Sequence, residues 1–181
     1  VENMPSGSAI RPGDILHMRN GKTIEVINTD AEGRLIMADA LAFASESKPD
    51  IICDVATLTG AAYVALGVEI GAVFSNNKVT LDSFLNSNND GFENYHSLPL
   101  EQSYKSQIKS SIADMKNSGG RFGGAITAAL LLEEFVDDLN WIHLDIAGPA
   151  RSRSSNSIYP EGGTGFGVLG YFNFLANEAN S

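Results

Sequence analysis

Thr23-Ile24-Glu25-Val26-Ile27-Asn28-Thr29-Asp30-Ala31-Glu32-Gly33-Arg34-Leu35-Ile36-Met37-Ala38-Asp39-Ala40-Leu41 opens as a strand and closes as a helix. Residues 23–27 are strand-like. Residues 35–44 are rich in Ala, Leu and Met, so a helix is expected there, stopped before Lys48-Pro49-Asp50. Between the two, Asp30, Glu32 and Arg34 place two carboxylates and one guanidinium within five residues. A strand, a charged loop and a helix in that order are the repeating unit of an α/β protein.

Working outward, residues 14–19 form a second strand-like run, joined to 23–27 through Asn20-Gly21, a hairpin signal. Short apolar runs at 51–56, 70–75 and 141–146 predict buried strands. Helices are predicted at 61–66, ended by Gly67, at 101–109, at 125–136 and at 166–176. The strongly apolar 125–136 helix is expected to pack on a sheet. Residues 81–94, polar and Asn-rich, read as a surface helix with a loop. Residues 116–124 and 151–165 read as loops rich in Gly and in Ser, Asn, Pro and Gly. The expected fold is a three-layer αβα arrangement around a mixed, largely parallel sheet. One domain over 1–181 is expected, without internal repeats or linker. Sites in such sheets lie beyond the carboxyl ends of strands. The loops 28–34, 57–60 and 147–149 are therefore expected to meet at one edge.

The composition narrows the classes of function. The 181 residues carry a formal charge of −10, which disfavours nucleic acid as a partner. Cys53 stands alone in an apolar run, so no internal disulfide forms and a buried, inert thiol in a reducing compartment is expected. No run approaches the roughly 18 apolar residues of a membrane span, and no signal peptide is visible.

The charged loop admits two readings. Thr29-Asp30-Ala31-Glu32 fits a Ser/Thr-x-x-Glu capping box before a helix, with acids favoured by the macrodipole. Alternatively, Asp30 and Glu32 are hard oxygen donors for divalent cations, and Arg34 is a planar fork for an anion. Gly33 is a poor helix former, and Arg34 near a positive helix end calls for an anion. Both weaken the cap as the whole explanation.

Asn28-Thr29-Asp30-Ala31-Glu32-Gly33-Arg34-Leu35 resembles the signature of the leucine aminopeptidases, the two-metal cytosolic exopeptidases. Further stretches agree: Glu2-Asn3-Met4-Pro5-Ser6-Gly7, Arg11-Pro12-Gly13-Asp14, Ala56-Thr57-Leu58-Thr59-Gly60-Ala61, Ile112-Ala113-Asp114-Met115-Lys116-Asn117, Gly124-Ala125-Ile126-Thr127-Ala128-Ala129 and His143-Leu144-Asp145-Ile146-Ala147-Gly148. The resemblance covers the later part of the family's catalytic domain. It implies a metal-dependent aminopeptidase, with leucine-like N-terminal residues preferred. Asp30 and Glu32 would be metal ligands, and Arg34 would hold a carbonate or bicarbonate base that takes a proton from metal-bound water. Two divalent ions, manganese, zinc or magnesium, are implied. Thr57, Gly60 and Ala147 would line the pocket for the first side chain, and the Leu58 carbonyl would accept from the substrate main chain. Peptide substrates, a homo-hexamer and a cytoplasmic location are also implied.

The family's remaining ligands, a lysine and two aspartates, and a second, catalytic lysine have no counterpart motif here. The chain starts at Val1, with residues that already match mid-domain sequence. A fragment without the N-terminal domain and early catalytic segment is therefore expected, and inactive by itself. The rival reading is a non-enzymatic oligomeric scaffold, with the 125–136 helix serving packing or assembly. Other signals point to structure. Gly165-Phe166-Gly167-Val168-Leu169-Gly170 spells a dinucleotide motif in the wrong context, and close helix packing is expected instead. The run 119–124 lacks a P-loop ending. His17, His96 and His143 are dispersed, no G-x-S-x-G elbow occurs, Asp54 and Asp145 are expected to accept hydrogen bonds, and Asp39 is not expected to be a ligand.

Overall fold

The computed structural model describes residues 3–89, 91–155 and 158–180. Glu2 of the first matching stretch, Asp90 of the 81–94 segment, and Asn156 and Ser157 of the 151–165 loop lie outside those residues. In chain order the elements are β1 Ile15–His17, β2 Thr23–Glu25, α1 Gly33–Ser45, β3 Ile51–Ala56, α2 Gly60–Leu66, β4 Ile70–Ser75, α3 Lys78–Ser87, β5 Asn94–Ser97, a 3-10 helix Gln102–Ile108, β6 Met115–Lys116, α4 Gly124–Glu133, β7 Asn140–Asp145, β8 Arg151–Ser152, β9 Gly162–Gly163 and α5 Val168–Glu178. The chain forms two compact units. The first holds Val1–Ile52 and Leu100–Leu139, the second Cys53–Pro99 and Asn140–Ser181.

In the first unit, β1 and β2 pair antiparallel with Leu16 opposite Ile24, closed by the expected Asn20-Gly21 turn. β6 adds to β2 in parallel, making a three-stranded sheet in the order β1-β2-β6. Helix α4 carries seven buried residues of its ten and packs on the 3-10 helix and on α1. Its Leu130, Leu131 and Leu132 are wholly buried. A helix apolar on all sides spends its surface on its own core. Of the two expected uses of 125–136, packing or assembly, the burial of these side chains supports packing. Lys22 and Lys105 clamp the end of α4. Lys105 Nζ lies 2.6 Å from Glu134 and 3.2 Å from Glu133, and Lys22 Nζ pairs with Glu134.

The second unit is built on a four-stranded sheet in the order β3-β7-β4-β5. β4 runs parallel to β5 and antiparallel to β7, so this sheet is mixed as well. Tyr95, Phe84, Phe174 and Tyr171 form an aromatic cluster under α3 and α5, with ring centroids 4.9–5.8 Å from Phe84. The mixed α/β class follows the sequence reading. Four strands were not predicted: β5, which overlaps the polar 81–94 segment only at Asn94, and the two-residue β6, β8 and β9. In β5 Asn-Tyr-His-Ser at a sheet edge alternates half-buried with exposed residues, so it lacks the apolar run that marked β3, β4 and β7. Of the loops expected to meet, residues 28–34 follow β2 in the three-stranded sheet, and 57–60 and 147–149 follow β3 and β7 of the four-stranded one.

Candidate active site

In the first unit the signature loop is shaped by a residue that the sequence reading left among loop positions. Asn117 is wholly buried. Its Oδ1 accepts from the Ile27 and Asn28 N–H groups at 2.9 and 3.2 Å, and its Nδ2 donates to the Asn28 and Ala31 carbonyls at 2.6 and 3.4 Å. One primary amide thus satisfies two donors and two acceptors of irregular backbone, which is the full use of such a group. The Asp30 N–H donates to Asn28 Oδ1 at 3.0 Å, which tightens the turn.

Helix α1 then begins at Gly33. Glu32 occupies its N-cap with helical backbone (φ −76°, ψ −33°) and makes no side-chain cap. The expected capping box over 29–32 does not form: the Asn117-held turn positions the backbone, so the carboxylates are not used as caps. Neither the Asp30 nor the Glu32 carboxylate is engaged by another described side chain or backbone group. Asp30 is exposed, Glu32 half-buried, and Arg34, in the first turn of α1, is buried. As hard oxygens the two carboxylates suit a divalent cation. Among the described residues, however, no group of three or more His, Cys, Asp or Glu is placed to hold a metal ion. Two donors fall short of the roughly four to six that such an ion takes. The described residues therefore do not complete a metal site by themselves.

In the second unit Asp145 plays the part that Asn117 plays in the first. It is 1% exposed. Its Oδ1 accepts from the N–H groups of Leu58, Thr59 and Ala147 at 3.0, 3.3 and 3.2 Å, and its Oδ2 from the Thr59 hydroxyl at 2.6 Å. Thr59 Oγ1 in turn caps α2 through the Ala62 N–H at 3.0 Å. The ends of β3 and β7 lie side by side, the Ile146 N–H donating to the Ala56 carbonyl at 2.8 Å. Leu58 and Ala147, distant in sequence, are thus held by one carboxylate, with Thr57 and Gly60 on either side of the Leu58-Thr59 pair. Nothing lies within 4 Å of a side chain built at Gly60, so open space borders this loop. The hydrogen bonds expected of Asp145 and Asp54 are present. Asp54 accepts from Trp141 Nε1 at 2.6 Å and pairs with His143 Nδ1 at 2.5 Å. His143 is wholly buried against Phe74 and Trp141, a structural histidine as expected. Burial, with the Asp54 charge beside it, pushes the Cys53 thiol up to about 12, so it is inert at neutral pH.

The glycine run 165–170 closes on an internal anion. Glu93, 5% exposed, accepts from the Gly167 and Gly170 N–H groups at 2.9 and 2.7 Å, at the N-terminus of α5. Tyr95 donates its hydroxyl to the same carboxylate at 2.6 Å, and burial and that carboxylate push the phenol well above its ordinary range. A Cβ at Gly170 would meet the Tyr95 hydroxyl at 2.1 Å. The motif serves close packing, and its helix end is taken by Glu93.

A family model described as the cytosol aminopeptidase family, catalytic domain, matches residues 1–170. A probable cytosol aminopeptidase of Synechococcus is 51% identical over 179 residues, covering 98% of this chain and 36% of that protein. One from Syntrophotalea carbinolica is 52% identical over 178 residues, with the same coverage. Among solved structures, a mutant of tomato leucine aminopeptidase superposes with a TM-score of 0.91 at 44% identity, covering 97% of this chain and 34% of that one. The bottromycin maturation enzyme BotP in complex with Mn superposes at 0.93 and 39% identity, covering 98% and 40%. The chain belongs to the cytosol aminopeptidase family. It spans a little over a third of the length of the curated relatives it matches.

Proposed function

We propose that this chain is the later part of the catalytic domain of a metal-dependent aminopeptidase that releases N-terminal, leucine-like residues from peptides. One observation carries the proposal. The signature of that family stands on a loop that Asn117 hydrogen-bonds from both sides, with the Asp30 and Glu32 carboxylates without a partner among the described residues and Arg34 in the adjoining helical turn. Asp30 and Glu32 would each give an oxygen to a divalent ion, manganese, zinc or magnesium, with the remaining ligands supplied by a longer protein. Bound there, such ions would polarise a carbonyl and lower the pKa of water. Arg34 would hold a carbonate-type anion as a proton acceptor. The second unit would bind substrate: Thr57, Gly60 and Ala147 about the first side chain, and the Leu58 carbonyl on the main chain. The names of the relatives support a cytosolic location, and among the described residues no helix is long and apolar enough to cross a membrane. A homo-hexamer is part of the proposal, tested by light scattering on the longer protein.

The test uses the longer protein loaded with manganese and a chromogenic leucine amide. Asp30→Asn and Glu32→Gln are each expected to lower kcat/KM at least about 100-fold, with a matching loss of bound metal. Full activity in either variant overturns their role as ligands. The 181-residue chain alone is expected to be inactive, and sustained release of leucine by it would refute that.

A further inference from the structure

The cavity beside Ala147 carries positive charge that the chain leaves unanswered. It measures about 420 Å³ and is lined in part by Ala147, Gly148, Tyr63, Arg151, Arg153 and Glu161. Its floor is fixed. A Cβ on Gly148 would meet the Gly67 carbonyl oxygen at 2.0 Å, and the Ala147 N–H is held by Asp145. Arg151 stands opposite Gly163 in the β8–β9 ladder. Arg153 Nη2 donates to the Tyr63 hydroxyl at 3.2 Å, which ties that guanidinium to the cavity wall. Neither arginine makes an ion pair among the described residues. The chain holds 22 acidic and 12 basic residues, so carboxylates are abundant. Two exposed guanidiniums without an ion pair, in a cavity where Glu161 is the one acid among the described lining residues, make a locally positive site in an acidic chain. A second cavity of about 490 Å³ shares both arginines, has Glu69 on its wall, and continues to Phe92 and Phe166.

We infer that this cavity takes a carboxylate carried by the peptide substrate, with Arg151 and Arg153 as the specificity-determining pair. The guanidinium fork matches a carboxylate in geometry as well as charge. The inference rests on the aminopeptidase reading above and names a substrate class for it. A peptide can bring this group in two ways, as an acidic side chain at its N-terminal residue or as the free carboxyl terminus of a short peptide.

The longer protein is assayed with leucyl-glycine amide, glutamyl-glycine amide and leucyl-glycine free acid. In the double variant R151Q/R153Q the kcat/KM ratio of an acid-bearing peptide to the neutral amide falls about tenfold. Whichever ratio falls identifies the source of the carboxylate. The R151K/R153K variant restores part of that ratio, which a purely structural role would not do. Ratios that stay put in R151Q/R153Q overturn the inference and leave the aminopeptidase reading standing. If no peptide is cleaved by the unaltered protein, the aminopeptidase reading falls, and calorimetric titration with the same peptides decides. Roughly tenfold tighter binding of an acid-bearing peptide, lost in R151Q/R153Q, sustains the inference, and equal binding overturns it.

Discussion

Each unit carries one loop with candidate site residues, and each loop is gathered by one buried polar side chain, but the chemistry of the two pins differs. Asn117 holds the loop 28–34 as a neutral amide that accepts twice and donates twice. Asp145 holds the loop 57–60 as an acceptor for three N–H groups and one hydroxyl. The needs of the backbone explain the choice. The first loop presents free carbonyls as well as N–H groups, and only an amide serves both. The second turns only donors toward its pin, which a carboxylate satisfies with charge-assisted bonds. The first loop also carries Asp30 and Glu32. A neutral pin there avoids a third negative charge beside two carboxylates that are left open.

The comparison can be broken by exchanging or removing the pins. Asp145→Ala strands four donors in a buried place and is expected to cost about 3–4 kcal/mol, read as a lowered urea midpoint. If the loss is below about 1 kcal/mol, Asp145 is not the organiser of its loop. Asn117→Asp removes both donated bonds and turns acceptors toward two carbonyls, for an expected loss of about 2–3 kcal/mol. Equal stability of this variant would show that the neutral character of the pin is immaterial.

A pH series sharpens the contrast, because the pin of the first unit carries no charge. In that unit Glu46, Glu101, Asp114 and Glu134 all have lowered carboxyl pKa values, and of the four only Glu134 is partly buried. Burial acts to raise this carboxyl, and the hydrogen-bonded ammonium groups of Lys105 and Lys22 together outweigh it, so its pKa lies below the usual 4.5. A depressed carboxyl contributes stability that is complete above its unfolded value and is lost as pH falls through the folded one. Glu134→Gln is therefore expected to cost about 1–2 kcal/mol at pH 7 and progressively less as pH falls below 4.5. A cost that persists unchanged in acid would assign it to packing. The smallest effect is expected at the carboxylates themselves. Asp30→Asn and Glu32→Gln should move the metal-free melting temperature by less than about 2 °C, since neither carboxylate has a partner among the described residues. A large fall would mean that they brace the fold.

Much of this was legible in the chain. The apolar runs at 51–56, 70–75 and 141–146 became β3, β4 and β7 within a residue at either end. β4 and β7 are buried on both faces, and that leaves a continuous apolar mark in the sequence, whereas β3 carries the same mark but is a half-exposed edge strand. β6 left no such mark. Two residues are too few for a period, and Met115–Lys116 is a strand only because β2 offers its edge. Asn117 was invisible as an organiser for the same reason. It stands about 90 positions from the loop it holds, in a segment whose glycines read as a loop. Asp145 was easier to read, since an acid at the end of an apolar strand must find donors nearby.

By itself the sequence determined the residues available for chemistry, Asp30, Glu32 and Arg34 in one run, the alternation of strands and helices, and the family. Those are local properties, carried by spacing and side-chain type. Only the tertiary structure decided that the acids cap nothing, that Asn117 and Asp145 shape the two loops, and that Arg151 and Arg153 share a cavity with Ala147. Each of those depends on which distant groups meet, and a buried polar group is assigned its role by the partners that folding brings within hydrogen-bond reach.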